Sequence, residues 1–501
     1  MVSIRTASHP IPTKSIYDEE ESSMTKQRVS MFLEKEPFGT ASGMINAMWQ
    51  EQLTGLGYEI NAHYRQYHGR HDMLMPMANA DRLRRVLGEP PADLAVYCDL
   101  GVAIRPPGPE IARKSMVIYN GLIGSQGTWL ANPKIDMYCA YSPYMKDILT
   151  SLLTVPDWRR RQCLDPSAFN RVAYFVPALP VVDRPVGDER MQGGDLPEEL
   201  RRAIDDGHII GHAIQPRKPD WFATFNILLQ LNMLARENGT KPFRLVVDQE
   251  DFALIDYSLA NGFPLDVAGP KSMLDMLGFT IRDLLIPVRF LSQPALFKLM
   301  RQAKFGLSYN IYPEPYGFYV LESVYAGCPV YTNGIGNNRH NLPPGHGIEV
   351  IETVDMAFGD LSAFGDVARR IYEDVQAPAA KAEECRRGRE YIARTYNREA
   401  SSRTIRAIIE RVQGETPAAV PFEQLEIQRS PMVRLMDEQT GQVVSDFQHV
   451  TLEPQELGLY REVLGRNAGD VAREVTGGAL DVLQGLFSRG VLSLRPVSNA
   501  K

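Results

Sequence analysis

Two glutamates with seven residues between them stand in the stretch Tyr312-Pro313-Glu314-Pro315-Tyr316-Gly317-Phe318-Tyr319-Val320-Leu321-Glu322. It continues as Ser323-Val324-Tyr325-Ala326-Gly327-Cys328-Pro329-Val330-Tyr331-Thr332-Asn333. The pattern predicts a loop carrying Glu314, then a helix that begins near Tyr316-Gly317 and stops at Gly327. The first backbone N–H groups of such a helix have no partner within it. They carry partial positive charge and suit a phosphate or a sugar hydroxyl. Gly317 has no side chain, so a ligand can come close to its backbone. Glu322, inside the helix, can accept two hydrogen bonds from a ribose diol. Acids near a helix start are also ordinary helix chemistry, because the dipole favours them.

A second place for chemistry is His212-Ala213-Ile214-Gln215-Pro216-Arg217-Lys218-Pro219. Arg217 and Lys218 could face a phosphate or form a solvated pair on a loop. Metal chemistry finds little support. His63, His68 and His71 are irregularly spaced and make no closed ligand set. His208 and His212, four apart in a strand, lie roughly 13 Å from each other, too far to share an ion. Asp248-Gln249-Glu250-Asp251 follows a strand, where acidic loops are common.

The elements that must position these residues alternate between strand and helix. Arg28 to Leu33 reads as a strand, Phe38 to Gly43 as a small-residue turn, and Met44 to Leu56 as a helix closed by Gly57 at the left-handed position. Strands follow at Tyr58–Ala62, Asp93–Tyr97, Ser115–Tyr119, Ile135–Ala140 and Ala173–Pro177. Ser142-Pro143 is a good helix start. Asp183 to Glu199, rich in Pro, Gly and acids, reads as a linker. Beyond it, strands at His208–His212, Phe243–Val247 and Phe305–Tyr309 alternate with helices at Trp221–Arg236 and Pro294–Gln302. Ala379 to Val412 is helical with a break near Tyr396-Asn397. Short crossovers of this kind mark parallel α/β sheets.

On these residues the chain resembles the retaining GT-B glycosyltransferases, the large family that includes bacterial glycogen synthase and relatives of sucrose synthase. Its Glu-x7-Glu region reads roughly Glu-Pro-Phe-Gly, then Glu-Ala, then Gly-x-Pro-Val; here Tyr316 replaces the Phe and Ser323 the Ala. Glu36-Pro37-Phe38-Gly39-Thr40-Ala41-Ser42-Gly43 resembles the family's glycine-rich loop. Ala140-Tyr141-Ser142-Pro143-Tyr144-Met145 resembles a helix start of its first domain. Phe290-Leu291-Ser292-Gln293 resembles the segment near the nucleotide base. The resemblance covers Val29 to Val412.

It implies an α/β GT-B fold, with two Rossmann-like domains facing a cleft. It also implies displacement of a nucleoside diphosphate with retention at the sugar carbon. Glu314, Arg217 and Lys218 are then the catalytic group. Glu322, Tyr316, Gly317, Phe318, Asn333, Gly39, Ser42, Gly43 and Ser292 bind the donor. No metal or cofactor is implied, because cations and helix amides take the charge. The family usually spaces its Arg and Lys, whereas Arg217 and Lys218 adjoin. Its Gly-Gly after the second Glu region becomes Gly334-Ile335-Gly336 here. UDP, GDP and ADP cannot be told apart.

The chain has 501 residues, 44% hydrophobic and 23% charged, with a net charge of -7. Its length calls for two or three domains. We expect an extension over 1–27, an acceptor domain over 28–187 joined by the helix 396–413, and a donor domain over 200–395. A small α+β module over 425–497, read as winged-helix-like, completes the chain. Its tail from Leu483 to Leu494 resembles the end of peptide-binding domains in peptide-modifying pathways. A packing or dimerisation module is the plainer reading, which leaves a homodimer open. The acidic balance excludes a general pull toward nucleic acid or membrane. Five scattered cysteines fit a reducing compartment. No run of about 18 apolar residues offers a span. The expectation is a cytoplasmic enzyme that moves a sugar from a nucleotide donor to a small-molecule acceptor. The rivals are an epimerase or hydrolase of the same fold and a non-catalytic sensor or scaffold.

Overall fold

The computed structural model describes residues 27–33, 41–64, 84–98, 108–119, 132, 134–182, 195–215, 217–262, 264–265, 268–289, 291–414 and 418–497. Residues 1–26 of the expected extension, Gly39, His68, His71 and residues 183–194 of the expected linker lie outside them, as does the side chain of Ser42.

Two six-stranded parallel sheets form the frame. The first contains β1 (Arg28–Leu33), β2 (Glu59–Tyr64), β3 (Ala92–Cys98), β4 (Ala112–Ile118), β5 (Met137–Ala140) and β8 (Val172–Tyr174), in the order β2-β1-β3-β4-β5-β8. Between β5 and β8 runs a short antiparallel hairpin, β6 (Pro156–Asp157) and β7 (Gln162–Cys163). The second sheet contains β9 (Ile209–Ala213), β10 (Phe243–Asp248), β11 (Leu285–Val288), β12 (Phe305–Ser308), β13 (Val330–Thr332) and β14 (Ile348–Val350), in the order β11-β10-β9-β12-β13-β14. Sheets covered on both faces need strands that are apolar throughout, and Met137–Ala140 and Phe305–Ser308 are buried at every position.

Helix boundaries follow local chemistry. The Ala41–Gly55 helix is succeeded by Gly57 at φ 88°, as its position predicts. It starts earlier than expected: Ala41, Ser42 and Gly43 lie in its first turn, not in a preceding loop. The break at Tyr396-Asn397 is a true boundary. Asn397 caps the Arg398–Gln413 helix, its Oδ1 accepting from the Ala400 amide at 2.8 Å. Asp248 has the same role for the Gln249–Asn261 helix, which the acidic composition of its first turn had hidden.

The two sheets share one apolar core. It joins Val29 and Met31 of β1 to Val320 and Leu321 of the Phe318–Ala326 helix through Ile405 and Ile408 of the Arg398–Gln413 helix. The last part of the chain pairs β15 (Leu425–Arg429) with β19 (Leu492–Pro496) and adds the antiparallel strands β16 (Val433–Asp437), β17 (Gln442–Ser445) and β18 (His449–Thr451). Its core includes Trp158 and Cys163 of the β6–β7 hairpin, so it grows onto the first domain.

Candidate active site

Strand order explains why distant residues meet. From β9 the chain builds outward to β10 and β11, then returns to place β12 on the other flank of β9. A crevice forms where the winding reverses, at the carboxyl ends of β9 and β12. The segment after β9 carries Gln215, Arg217 and Lys218, and the segment after β12 carries Asn310 and Glu314. Pro219 and Asn310 form a β-bridge, and the Ile311 amide donates to the Lys218 carbonyl at 3.0 Å. Deeper, Gln215 donates to Ser308 Oγ at 3.0 Å and accepts from Asn310 Nδ2 at 2.8 Å.

On this base the Lys218 ammonium lies 2.5 Å from a Glu314 carboxylate oxygen. The lysine side chain is 44% exposed and the glutamate 13%, so the cation faces solvent over a largely covered anion. Arg217 goes elsewhere. Its backbone sits at φ 61°, which turns its side chain to Glu250 at 3.0 Å on the surface. The structure thus brings Lys218 to Glu314 and separates its neighbour from both.

Glu314 is held through its backbone. It forms a bridge with Gly336, and its carbonyl accepts from the Asn337 amide at 2.7 Å. A Cβ on Gly336 would stand 2.2 Å from the Glu314 nitrogen, so the Gly334-Ile335-Gly336 variation permits this contact. Asn333 ties the two loops: its Nδ2 donates to the Asn310 carbonyl at 2.9 Å.

The Phe318–Ala326 helix opens at Gly317, with φ 97° and no side-chain cap. The room beside this glycine is not left for a ligand, as the sequence reading supposed. An added Cβ would stand 2.3 Å from Asn341 Nδ2 and 2.7 Å from Asn338 Oδ1, so two buried amides occupy that space. Tyr316 is likewise buried and its hydroxyl donates to the Pro177 carbonyl, a contact between the two domains. Phe318 packs partly buried beside it. Ser142 makes a second domain contact, donating to the Pro315 carbonyl at 2.8 Å while it caps its own helix.

Glu322 is buried and accepts from Gln293 Nε2 at 3.2 Å. Gln293 begins the Gln293–Gln302 helix, which Ser292 caps through the Ala295 amide. Ser292 Oγ is engaged in this cap, and its neighbour Gln293 is the residue that reaches Glu322. The quoted segment contained Gln293, but only the fold brings it to Glu322. Gly43 is buried in the Ala41–Gly55 helix. Beneath the Phe318–Ala326 helix, His212 Nδ1 meets the Tyr319 hydroxyl at 2.6 Å and Nε2 meets Ser323 Oγ at 3.2 Å. Complete burial pushes its imidazole down to about 3, so it stays neutral and acts as a hydrogen-bonding brace.

No family model and no curated protein matches the sequence. Solved structures do match. A glycosyltransferase from Rickettsia africae aligns with TM-score 0.51 at 10% identity, over 78% of this chain and 100% of that one. Sucrose-phosphate synthase from Thermosynechococcus elongatus aligns with TM-score 0.50 at 14% identity, over 77% and 99%. HepE of Anabaena, solved with UDP and glucose, gives TM-score 0.49 at 12% identity, over 77% and 99%. The chain has the GT-B glycosyltransferase fold.

To this GT-B frame the C-terminal residues add a buried charge network beside the candidate site. Asp446, in the turn after β17, accepts from the Tyr144 hydroxyl at 2.5 Å, from the Gly336 amide at 3.0 Å and from both terminal nitrogens of Arg339 at 2.9 and 3.0 Å. Arg434 on β16 approaches Glu352 at 3.2 Å and donates to the Asn333 carbonyl at 3.2 Å. Burial pushes the Glu352 carboxyl up to about 7 against the pull of Arg434. No part of this network was singled out in the sequence, where its members are about 100 to 300 residues apart. Among the described residues there is no His/Cys/Asp/Glu cluster suited to a metal, and no helix long and apolar enough to cross a membrane.

Proposed function

We propose that this chain is a retaining, metal-independent glycosyltransferase that moves a sugar from a nucleoside-diphosphate sugar to a small-molecule acceptor. The observation that carries the proposal is the Lys218–Glu314 pair at the crevice between β9 and β12 of a GT-B fold. In this reading Lys218 takes up charge on the departing diphosphate, Glu314 orients the lysine beside the sugar, and Glu322 holds the ribose. The bond from the sugar carbon to the phosphate oxygen breaks. The acceptor oxygen bonds that carbon on the same face, and its proton passes to the leaving phosphate. A cation held in place by Glu314 stabilises the developing charge without having to reorganise. The placement of Arg217 favours a second reading, a non-catalytic nucleotide-sugar sensor, because it leaves Lys218 without its sequence neighbour.

A thermal-shift panel of UDP, GDP, ADP and TDP on wild type and Glu322→Ala is the test. A ligand at 100 times its dissociation constant adds about 2.7 kcal/mol to the native state. One nucleotide is expected to raise the melting temperature, and the variant to lose that response. No response to any of them sinks the proposal. Binding without sugar transfer favours the sensor, and donor consumption without an acceptor favours a hydrolase or epimerase.

A further inference from the structure

The backbone of Glu314 leans on one segment, residues 333–339 after β13. Gly336 is its bridge partner, and its carbonyl accepts from the Asn337 amide at 2.7 Å. Asn333 joins the same segment to the floor of the crevice through the Asn310 carbonyl at 2.9 Å. The position of this segment therefore fixes where the Glu314 carboxylate meets Lys218.

The C-terminal residues grip the segment by its backbone. Arg434 donates to the Asn333 carbonyl at 3.2 Å, and Asp446 accepts from the Gly336 amide at 3.0 Å. Arg339 adds to the grip. It donates to the Gly334 and Gly336 carbonyls at 3.1 and 3.0 Å, and also to Asp446 and to the Pro431 carbonyl at 2.7 Å. Each nitrogen of Arg434 has its own direction: Nη1 to Asn333, Nη2 to Glu352 at 3.2 Å and Nε toward Asp446 at 3.5 Å. The side chains of Arg434, Glu352 and Asp446 are 5%, 7% and 0% exposed. Burying such charges costs free energy that apolar packing in the same place would not. Attachment alone does not require them, because the core around Trp158 and Cys163 already seats this region on the first domain. Apolar contact is non-directional, whereas a rigid guanidinium fork fixes direction as well as distance. Here that direction is given to the backbone that carries Glu314.

We propose that Arg434 and Asp446 are positioning residues for the sugar transfer: by fixing residues 333–339 they hold Glu314 against Lys218, so that the reacting pair is complete only with the C-terminal residues in place. Both act through the segment and not on the reacting atoms. The inference rests on the transferase reading and adds to it a task for a region outside the two parallel sheets.

Calorimetric titration of the full chain with UDP against UMP, and likewise with GDP, ADP and TDP against their monophosphates, tests this. In the transferase reading Lys218 meets the second phosphate, whereas Glu322 holds the ribose of either ligand. Wild type is expected to prefer one diphosphate over its monophosphate by roughly ten-fold or more, the order of one charge-assisted contact. Arg434→Met should reduce that preference to about two-fold or less, with the monophosphate affinity changed by no more than about two-fold. The variant leaves no bare charge: Asp446 keeps Arg339, and Glu352, whose carboxyl burial holds at about 7, can take up a proton. On a Lys218→Ala background Arg434→Met should change the preference no further, because its effect passes through the lysine. If Arg434→Met does not fold, the same loss is read on Arg434→Lys, which keeps a cation without the three-way fork. A preference that persists without Arg434 overturns the proposal. So does a parallel fall of both affinities, which marks support of the fold alone, or an undiminished effect on the Lys218→Ala background. In those cases wild type still selects its diphosphate and the transferase reading stands. If wild type binds no nucleotide, or no diphosphate better than its monophosphate, the assignment of Lys218 fails and this inference fails with it.

Discussion

Adjacent residues of like charge end in different surroundings. Arg217, at φ 61°, swings to Glu250, where both partners are more than half exposed. Pairs of that kind contribute about 0–1 kcal/mol. Lys218 follows and lands on Glu314. Arg217→Ala should therefore leave sugar transfer within about two-fold of wild type, an effect below 1 kcal/mol. Lys218→Ala should lower kcat by roughly 10²–10³, the range for removing one preorganised charge-stabilising group. Steady-state kinetics on the two variants checks this, and equal losses in both would refute the assignment. The sequence supplied the pair but not the choice, because a single positive φ lies beyond what spacing can reveal.

At the scale of the element, the Phe318–Ala326 helix is anchored at its start and along its inner face. Gly317 admits Asn338 and Asn341 at the start, and His212 braces Tyr319 and Ser323 below. The helix in turn presents Glu322 to Gln293. A residue with a Cβ at position 317 meets the left-handed backbone cost and a clash with a buried amide. Gly317→Ala should cost about 1–3 kcal/mol or more, as expected for a strained backbone position. It should also weaken the nucleotide response, because the helix start shifts. Urea denaturation with nucleotide titration measures both effects. An unchanged midpoint would mean that the loop relaxes without penalty. The helix and its glycine were legible in the sequence, whereas the partner of the glycine was not. A glycine that clears space for a ligand and one that clears space for a side chain have the same letter.

At the scale of the whole molecule, the last part of the chain links both halves of the GT-B frame. Asp446 holds Tyr144 of the first domain and Arg339 of the second, and its side chain is fully covered. Its core also takes in Trp158 and Cys163. The region expected to be a separate module is thus packed across the frame. Removing one partner of a buried charge cluster leaves the others uncompensated, typically at about 3–5 kcal/mol. Asp446→Asn should lower the stability of the full chain by that order, with a single shift in its urea unfolding curve. An unchanged main transition, with only a small early phase displaced, would show that these residues are loosely attached.

The sequence by itself determined the two α/β halves, the helix break at Asn397 and the loop–helix unit that carries Glu314 and Glu322. Those features rest on local pattern: apolar strands covered on both faces, capping side chains, and glycine at a left-handed position. The tertiary structure alone decided that Lys218 and not Arg217 reaches Glu314, that Gln293 meets Glu322, and that Asp446 closes a network over both domains. Such pairings join residues about 30 to 300 positions apart. They depend on strand order and on which faces are packed together, and a linear pattern carries neither.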